Sequence, residues 1–308
     1  MKAAGVNQLA FIGFGEVAAT LYSSVFRDVE GLIVSVSHFE DRELSDATTR
    51  RLRTSGLYAS PADQTLRDAD IVISAVTPAS ALEVAQHAAD YLQPGSLYVD
   101  VNSISGPTMR ELGATIQQCG ARCVDAAIMG PVPLMKDRVP ILLSGQYAPD
   151  FDQISKSFGL NTSVLSMQVG DASSLKMLWS VITKGSIALF AESLTAAHRL
   201  DLLNPLRELL AQEFGNMGTD AMVLRLLRST VQSGARRLDE MNEASATLQS
   251  VSVPTWSASA TSLWIRELSR MAQPTDSTNV TEVVESISEE LGSIRPNTTS
   301  RAEESSSD

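Results

Sequence analysis

The sequence predicts an α/β chain, a Rossmann-type doubly wound parallel sheet followed by an all-α domain. Three observations predict it. Over roughly the first 145 residues, short apolar runs alternate with helical patterns. One early run, "LAFIGFGEVAATL", passes through Gly-Phe-Gly directly into a helical pattern. Beyond Gly170 the apolar runs give way to long helical patterns broken mainly at Asn204-Pro205 and Val253-Pro254.

Taken in order, the runs are "LAFIGF", "GLIVSVSHF", "DADIVISAVTP", "GSLYVDVNS", "ARCVDAAIMG" and "RVPILLSG". Such Ile/Val-rich runs, separated by helices, read as strands buried on both faces of a mostly parallel sheet with right-handed crossovers. Helices are expected over about Glu16–Phe26, Ala79–Leu92 and Thr108–Gln118, with Ser105 placed to cap the last. The second half predicts a long helix from Asp171 to about Leu200, then helices near Pro205–Phe214, Met222–Glu240 and Ala258–Met271. The expected division is residues 1–168 for the sheet domain, 169–295 for the helical domain and 296–308 for a disordered acidic tail.

Composition narrows the function. At 308 residues and net charge −12, the chain lacks the basic balance that a nucleic-acid partner requires. No apolar stretch approaches the length of a membrane span, and the polar N-terminus "MKAAGVNQ" does not read as a signal peptide, so a cytoplasmic protein is expected. Cys119 and Cys123 have no companion pair of Cys or His, so no metal site is expected. His38, His87 and His198 are scattered, and Trp179 and Trp264 read as packing residues.

The glycine turn carries the main functional expectation. Gly13 permits a tight turn after the first strand, Gly15 removes a Cβ that would block a phosphate, and Ala18 lets the helix lie close to the strand. Backbone N–H groups from Phe14 to Val17 then face a pyrophosphate, which the helix dipole favours. A dinucleotide laid across the strand ends would also meet Ser37 and His38 after the second strand, Val76, Thr77 and Pro78 after the next buried strand, and Asn102 beyond that. A carboxylate at the tip of the second strand would favour NAD, and Glu40 and Asp41 lie two to four residues past it. Ser37, His38 and Arg42 could instead hold a 2′-phosphate, with Arg50, Arg51 and Arg53 nearby, although these arginines also read as a solvated helix face. NADP is the preferred reading, with NAD the alternative.

Four landmarks in order, "GFGEVA", "VDVNSISGP", "VDAAIMGPV" and "GDASSLKMLWS", resemble the β-hydroxyacid dehydrogenase superfamily, which includes 3-hydroxyisobutyrate and 6-phosphogluconate dehydrogenases. The resemblance covers residues 8 to about 200 and looks most like a branch with a divergent C-terminal helical domain. It implies that Asn102 and Ser103 flank nicotinamide and substrate, and that the segment around Met129 and Gly130 contacts the substrate. Met129 and Pro131 stand where the family has Ser and Gly, which points to a larger or more apolar substrate.

The family also places a lysine six residues after a glycine, a spacing kept by Gly170 and Lys176. Oxidising an alcohol releases a hydroxyl proton, so a base must stand within reach, and Lys176 is the candidate general acid/base. One turn on, Ser180 replaces the family's asparagine, and Lys184 falls a further turn along the same face as a candidate for an anionic substrate group. The resemblance implies a site between the two domains and a homodimer built through the helical one. The expected function is hydride transfer between NAD(P) and a hydroxyl or carbonyl carbon of a small organic substrate. Imine reduction on the same scaffold and a non-catalytic NADPH-binding regulator are the alternatives.

Overall fold

The computed structural model describes residues 5–39, 43–215, 218–232, 234–270 and 279–293. Glu40, Asp41 and Arg42 lie outside the described residues, as does the 296–308 tail. The chain divides into two compact units, Met1–Ile182 and Thr183–Asp308, with the division inside a long helix.

The first unit holds an eight-stranded sheet. In chain order its strands are β1 (Gln8–Ile12), β2 (Ile33–His38), β3 (Ala59–Pro61), β4 (Ile71–Ser74), β5 (Leu97–Asp100), β6 (Arg122–Ile128), β7 (Ile141–Ser144) and β8 (Thr162–Ser166). Their spatial order is β3-β2-β1-β4-β5-β6-β7-β8. Every pairing is parallel except β6 with β7, which is antiparallel, with Ile128 opposite Ile141. The order reverses between β1 and β4, so the chain leaves these neighbours in opposite directions and opens a crevice at their carboxyl ends.

Around the sheet lie α1 (Glu16–Leu21), α2 (Asp46–Ser55), α3 (Ala62–Thr65), α4 (Ala81–Ala89), α5 (Gly106–Gln118), α6 (Val132–Met135) and α7 (Ala148–Ser157). The predicted Glu16–Phe26 helix is α1 followed by a wider π-helical turn, Tyr22–Phe26. Ser105 caps α5 as expected, its Oγ accepting from Thr108 N at 3.2 Å. Apolar residues on both faces of the sheet form two buried clusters, one around Phe11, Phe14, Leu97 and Leu143, the other around Ala10, Tyr98, Met109 and Leu112. Continuous burial along β4 and β5 is what the unbroken "IVIS" and "LYVD" runs require.

A long helix, α8 (Asp171–Arg199), crosses the division. The second unit continues with α9 (Leu203–Gly215), α10 (Thr219–Gln232), α11 (Gly234–Ser250), α12 (Trp256–Leu268) and α13 (Val280–Ser293). The helix expected over Met222–Glu240 falls on α10 and α11, which are described on either side of Ser233, a residue outside the described ones. Glu192 ties α12 down, its buried carboxylate accepting from Ser257 N at 2.6 Å and Ala258 N at 3.1 Å. Trp179 and Trp264, expected as packing residues, are 53% and 58% exposed. Among the described residues, no helix is long and apolar enough to cross a membrane.

Candidate active site

A cleft of about 520 Å³ lies over the carboxyl ends of β1, β2, β4 and β5. Its first wall is the turn after β1. Gly13 sits at φ +82°, and a Cβ there would meet the Ala75 carbonyl oxygen at 2.5 Å, because β4 ends against this turn through Ala75 N donating to Ile12 O at 2.8 Å. Only glycine satisfies both the left-handed backbone and that approach. Gly15 differs, since a Cβ built on it meets no protein atom within 4 Å. Glu16 and Val17 continue this wall. The Phe14 ring is buried edge-on against Phe11 and Tyr22, so it offers the cleft its backbone.

The wall at the end of β2 carries Ser37, His38 and Phe39, facing Ser45 and Thr48 at the start of α2. Ser37 is 5% exposed, and its Oγ has no hydrogen-bond partner among the described residues. Arg50 and Arg51 line a separate shallow groove with Arg27 rather than this cleft. The remaining wall joins Val76, Thr77 and Pro78 after β4 to Asn102 and Ser103 after β5. Gly13 to Val17, Ser37, His38, Val76, Thr77, Pro78 and Asn102, all expected to contact the dinucleotide, therefore line one cleft, while Arg42 lies outside the described residues.

The Asn102 side chain holds the last wall together. Its Oδ1 accepts from Val76 N at 2.7 Å, and its Nδ2 donates to Ser74 Oγ at 3.0 Å and Asp100 Oδ2 at 2.8 Å. Both amide hydrogens are thereby used within the protein, leaving a ligand only the second lone pair of Oδ1.

Next in the sheet, Asp125 is opposite Asp100 in the β5–β6 register. Its carboxylate accepts from Ser144 Oγ at 2.9 Å, Gly170 N at 3.1 Å, Ser173 N at 3.0 Å and Ser173 Oγ at 2.7 Å. Ser144 Oγ in turn accepts from Ala172 N at 3.0 Å. These acceptors satisfy the first N–H groups of α8, which a helix start leaves without intrahelical partners. Gly170, at φ +95°, brings the chain against α5, where a Cβ on it would lie 2.7 Å from the Gly106 carbonyl oxygen. The six-residue interval from Gly170 to Lys176 is thus a measured distance along a helix whose origin is fixed.

Lys176 and Ser180 lie one turn apart on α8, both half-buried, and neither lines the cleft. Lys184 is one turn further in the same helix, but its side chain lies outside the described residues. Met129, half-buried, and Gly130, exposed, follow β6, with Met129 N donating to Pro140 O at 2.8 Å. Among the described residues, no group of three His, Cys, Asp or Glu could hold a metal ion. Sequence reasoning missed Asp125 as an anchor and Asp100 as a partner of Asn102, because both roles depend on groups distant in sequence.

Fold and cleft together define the class: a Rossmann-type oxidoreductase fold of the hydroxyacid dehydrogenase and imine reductase kind. Residues 8–103 match the family described as NADP oxidoreductase, coenzyme F420-dependent, and residues 197–268 match a domain of unknown function, DUF1932. An uncharacterized 28.5 kDa protein of Methanothermus fervidus is 34% identical over 238 residues, 77% of this chain and 88% of that protein. The chain belongs to the family of that protein, a branch of the β-hydroxyacid dehydrogenase superfamily. A conserved protein of unknown function, whose structure is reported as similar to 3-hydroxyacid dehydrogenases, is 38% identical over 85% of this chain and 97% of its own, with a TM-score of 0.57. The imine reductase of Myxococcus stipitatus, solved with NADP+, shares the fold at 17% identity and a TM-score of 0.67, over 85% of this chain and 94% of its own.

Proposed function

We propose that the chain is an NAD(P)-dependent oxidoreductase, with NADP preferred, acting on a hydroxyl or carbonyl carbon of a small organic substrate. The observation that carries this reading is the cleft at the strand-order reversal, built for an elongated ligand with phosphates at one point and a polar group at another. The open space above Gly15 and the Gly15–Val17 backbone suit a pyrophosphate. The buried, unpartnered Ser37 hydroxyl, with His38 beside it and the α2 start opposite, suits the adenosine ribose and a 2′-phosphate. Val76, Thr77, Pro78 and Asn102 would then flank the nicotinamide. A bound nicotinamide supplies two-electron chemistry by exchanging hydride with carbon.

In this reading Lys176 takes the hydroxyl proton during oxidation and returns it to the developing alkoxide during reduction. Ser180 hydrogen-bonds the same substrate oxygen, while Ser103, Met129 and Gly130 position the rest and Lys184 meets an anionic group. Residues 1–168 form the nucleotide domain and 169–295 the helical domain of a cytoplasmic homodimer. Similarity to the M. fervidus protein across both parts supports a shared two-part design.

The first test is a fluorescence titration of the full-length protein with NADPH and, separately, NADH. Saturable binding with tighter NADPH is expected, and absence of binding of either at millimolar concentration overturns the reading. Replacing Lys176 by Ala should leave that affinity within about threefold and reduce turnover of the responding substrate by roughly 100-fold or more. Turnover of imines alone would assign the chain to C=N reduction, and binding without turnover of any alcohol, carbonyl or imine would make it a regulator.

A further inference from the structure

Ser74 ends β4 and Asp100 ends β5, side by side in the parallel register, and both are fully buried beneath the cleft. Neither lines it. Yet the two loops that leave these strands form one of its walls, and a single amide ties them together. The Asp100 carboxylate accepts from Asn102 twice, Oδ1 from the backbone N at 3.0 Å and Oδ2 from Nδ2 at 2.8 Å. That chelate fixes which way the amide points. Its Oδ1 is thereby presented to Val76 N at 2.7 Å, holding the loop after β4 to the loop after β5.

We propose that Asp100 is a positioning residue of the cleft: through Asn102 its carboxylate sets the relative path of the Val76–Pro78 and Asn102–Ser103 segments. In calling the occupant a dinucleotide the proposal rests on the function proposed above; in its effect on the loops it does not.

The chemistry requires a carboxylate rather than a carboxylic acid or an amide. Both Asp100 oxygens act as acceptors, and converting one to a donor sets it against an N–H of Asn102. A flipped Asn102 amide would turn an NH2 toward Val76 N, leaving that half-buried backbone donor unmatched. Burial is the main influence on Asp100, pushing its carboxyl up to about 7, against the lowering effect of its bonds from Asn102 and Ser74 and with a further upward push from Asp125. The titratable groups facing it are Asp125 and Cys123 on β6 and Tyr98 on β5, while β4 presents the neutral Ser74. The clamp is therefore complete above about pH 7 and loosens as Asp100 takes up a proton below it.

The experiment is amide hydrogen exchange at Val76 in the full-length protein without cofactor, for wild type, Asp100→Asn and the double variant Asp100→Asn/Asn102→Asp. The single variant opposes two NH2 groups, so Val76 should exchange roughly tenfold faster, as loss of one half-buried hydrogen bond implies. The double variant restores one donor facing one acceptor and should return protection to within about threefold of wild type. NADPH affinity should follow the same order. In wild type, the Val76 protection factor should rise as pH increases through about 7. Unchanged Val76 exchange in Asp100→Asn, a double variant no better than the single one, or a protection factor flat with pH would each overturn the proposal. If exchange behaves as expected but no form binds NADPH, the positioning role stands and the cofactor reading falls.

Discussion

Gly13 and Gly15 are two residues apart in one turn, yet the structure gives them opposite roles. At Gly13 a Cβ would face the Ala75 carbonyl at 2.5 Å on a backbone at φ +82°. Gly13→Ala should therefore destabilise the fold by more than about 2 kcal/mol. At Gly15 the backbone φ is −74° and the added methyl meets only open space. Gly15→Ala should leave stability within about 0.5 kcal/mol of wild type while weakening NADPH binding roughly tenfold or more. Chemical denaturation beside a cofactor titration of both variants checks this. Equal behaviour of the two would mean that the space above Gly15 is not where phosphates sit. This turn was legible in sequence because its geometry depends on adjacent residues. Asp100 and Asn102 were legible only as polar residues after a strand. Which atoms they bond depends on Ser74 and Val76, 28 and 26 residues before Asn102.

At the scale of elements, the start of α8 is the feature on which the placement of Lys176 depends. A helix start normally leaves its first N–H groups to a local cap. Here Asp125 and Ser144, on neighbouring antiparallel strands, accept from Gly170, Ala172 and Ser173 instead. Asp125→Asn turns one acceptor oxygen into a donor among groups that already donate, and should destabilise the protein by about 3 kcal/mol. Ser173→Ala removes only the 2.7 Å hydroxyl bond and should cost about 1 kcal/mol. Denaturation of both variants gives the ranking, and hydrogen exchange across residues 170–176 should show the loss concentrated there. A uniform loss over the whole sheet would sink the idea that Asp125 acts through α8. The sequence pattern located α8 itself because helical spacing is a local signal. It could not reveal that β7 runs antiparallel, since an apolar run reads the same in either direction, nor that the exposed, polar β8 extends the sheet.

At the scale of the whole molecule, the apolar side chains among the described residues are arranged differently in the two units. The first has two extensive clusters, with Phe11, Tyr98, Met109 and Leu112 scarcely exposed. Among the described residues of the second, the buried apolar cluster is Ala196, Leu248, Val253 and Ala258, supported by Met241 and Val251. Within that same unit Leu189, Leu202 and Leu209 border an apolar groove of about 440 Å³ and are 49%, 52% and 61% exposed. Soluble proteins seldom leave a contiguous apolar patch uncovered. The homodimer proposed above would supply that cover from a second copy. Sedimentation equilibrium should then give twice the 33.0 kDa chain mass. Leu209→Glu places a charge in the groove and should shift the protein to monomer, leaving the dinucleotide cleft of the first unit able to bind NADPH. A wild-type protein that is monomeric at tens of micromolar would remove the second copy as the cover. A Leu209→Glu dimer as tight as wild type would instead place the interface elsewhere on the chain.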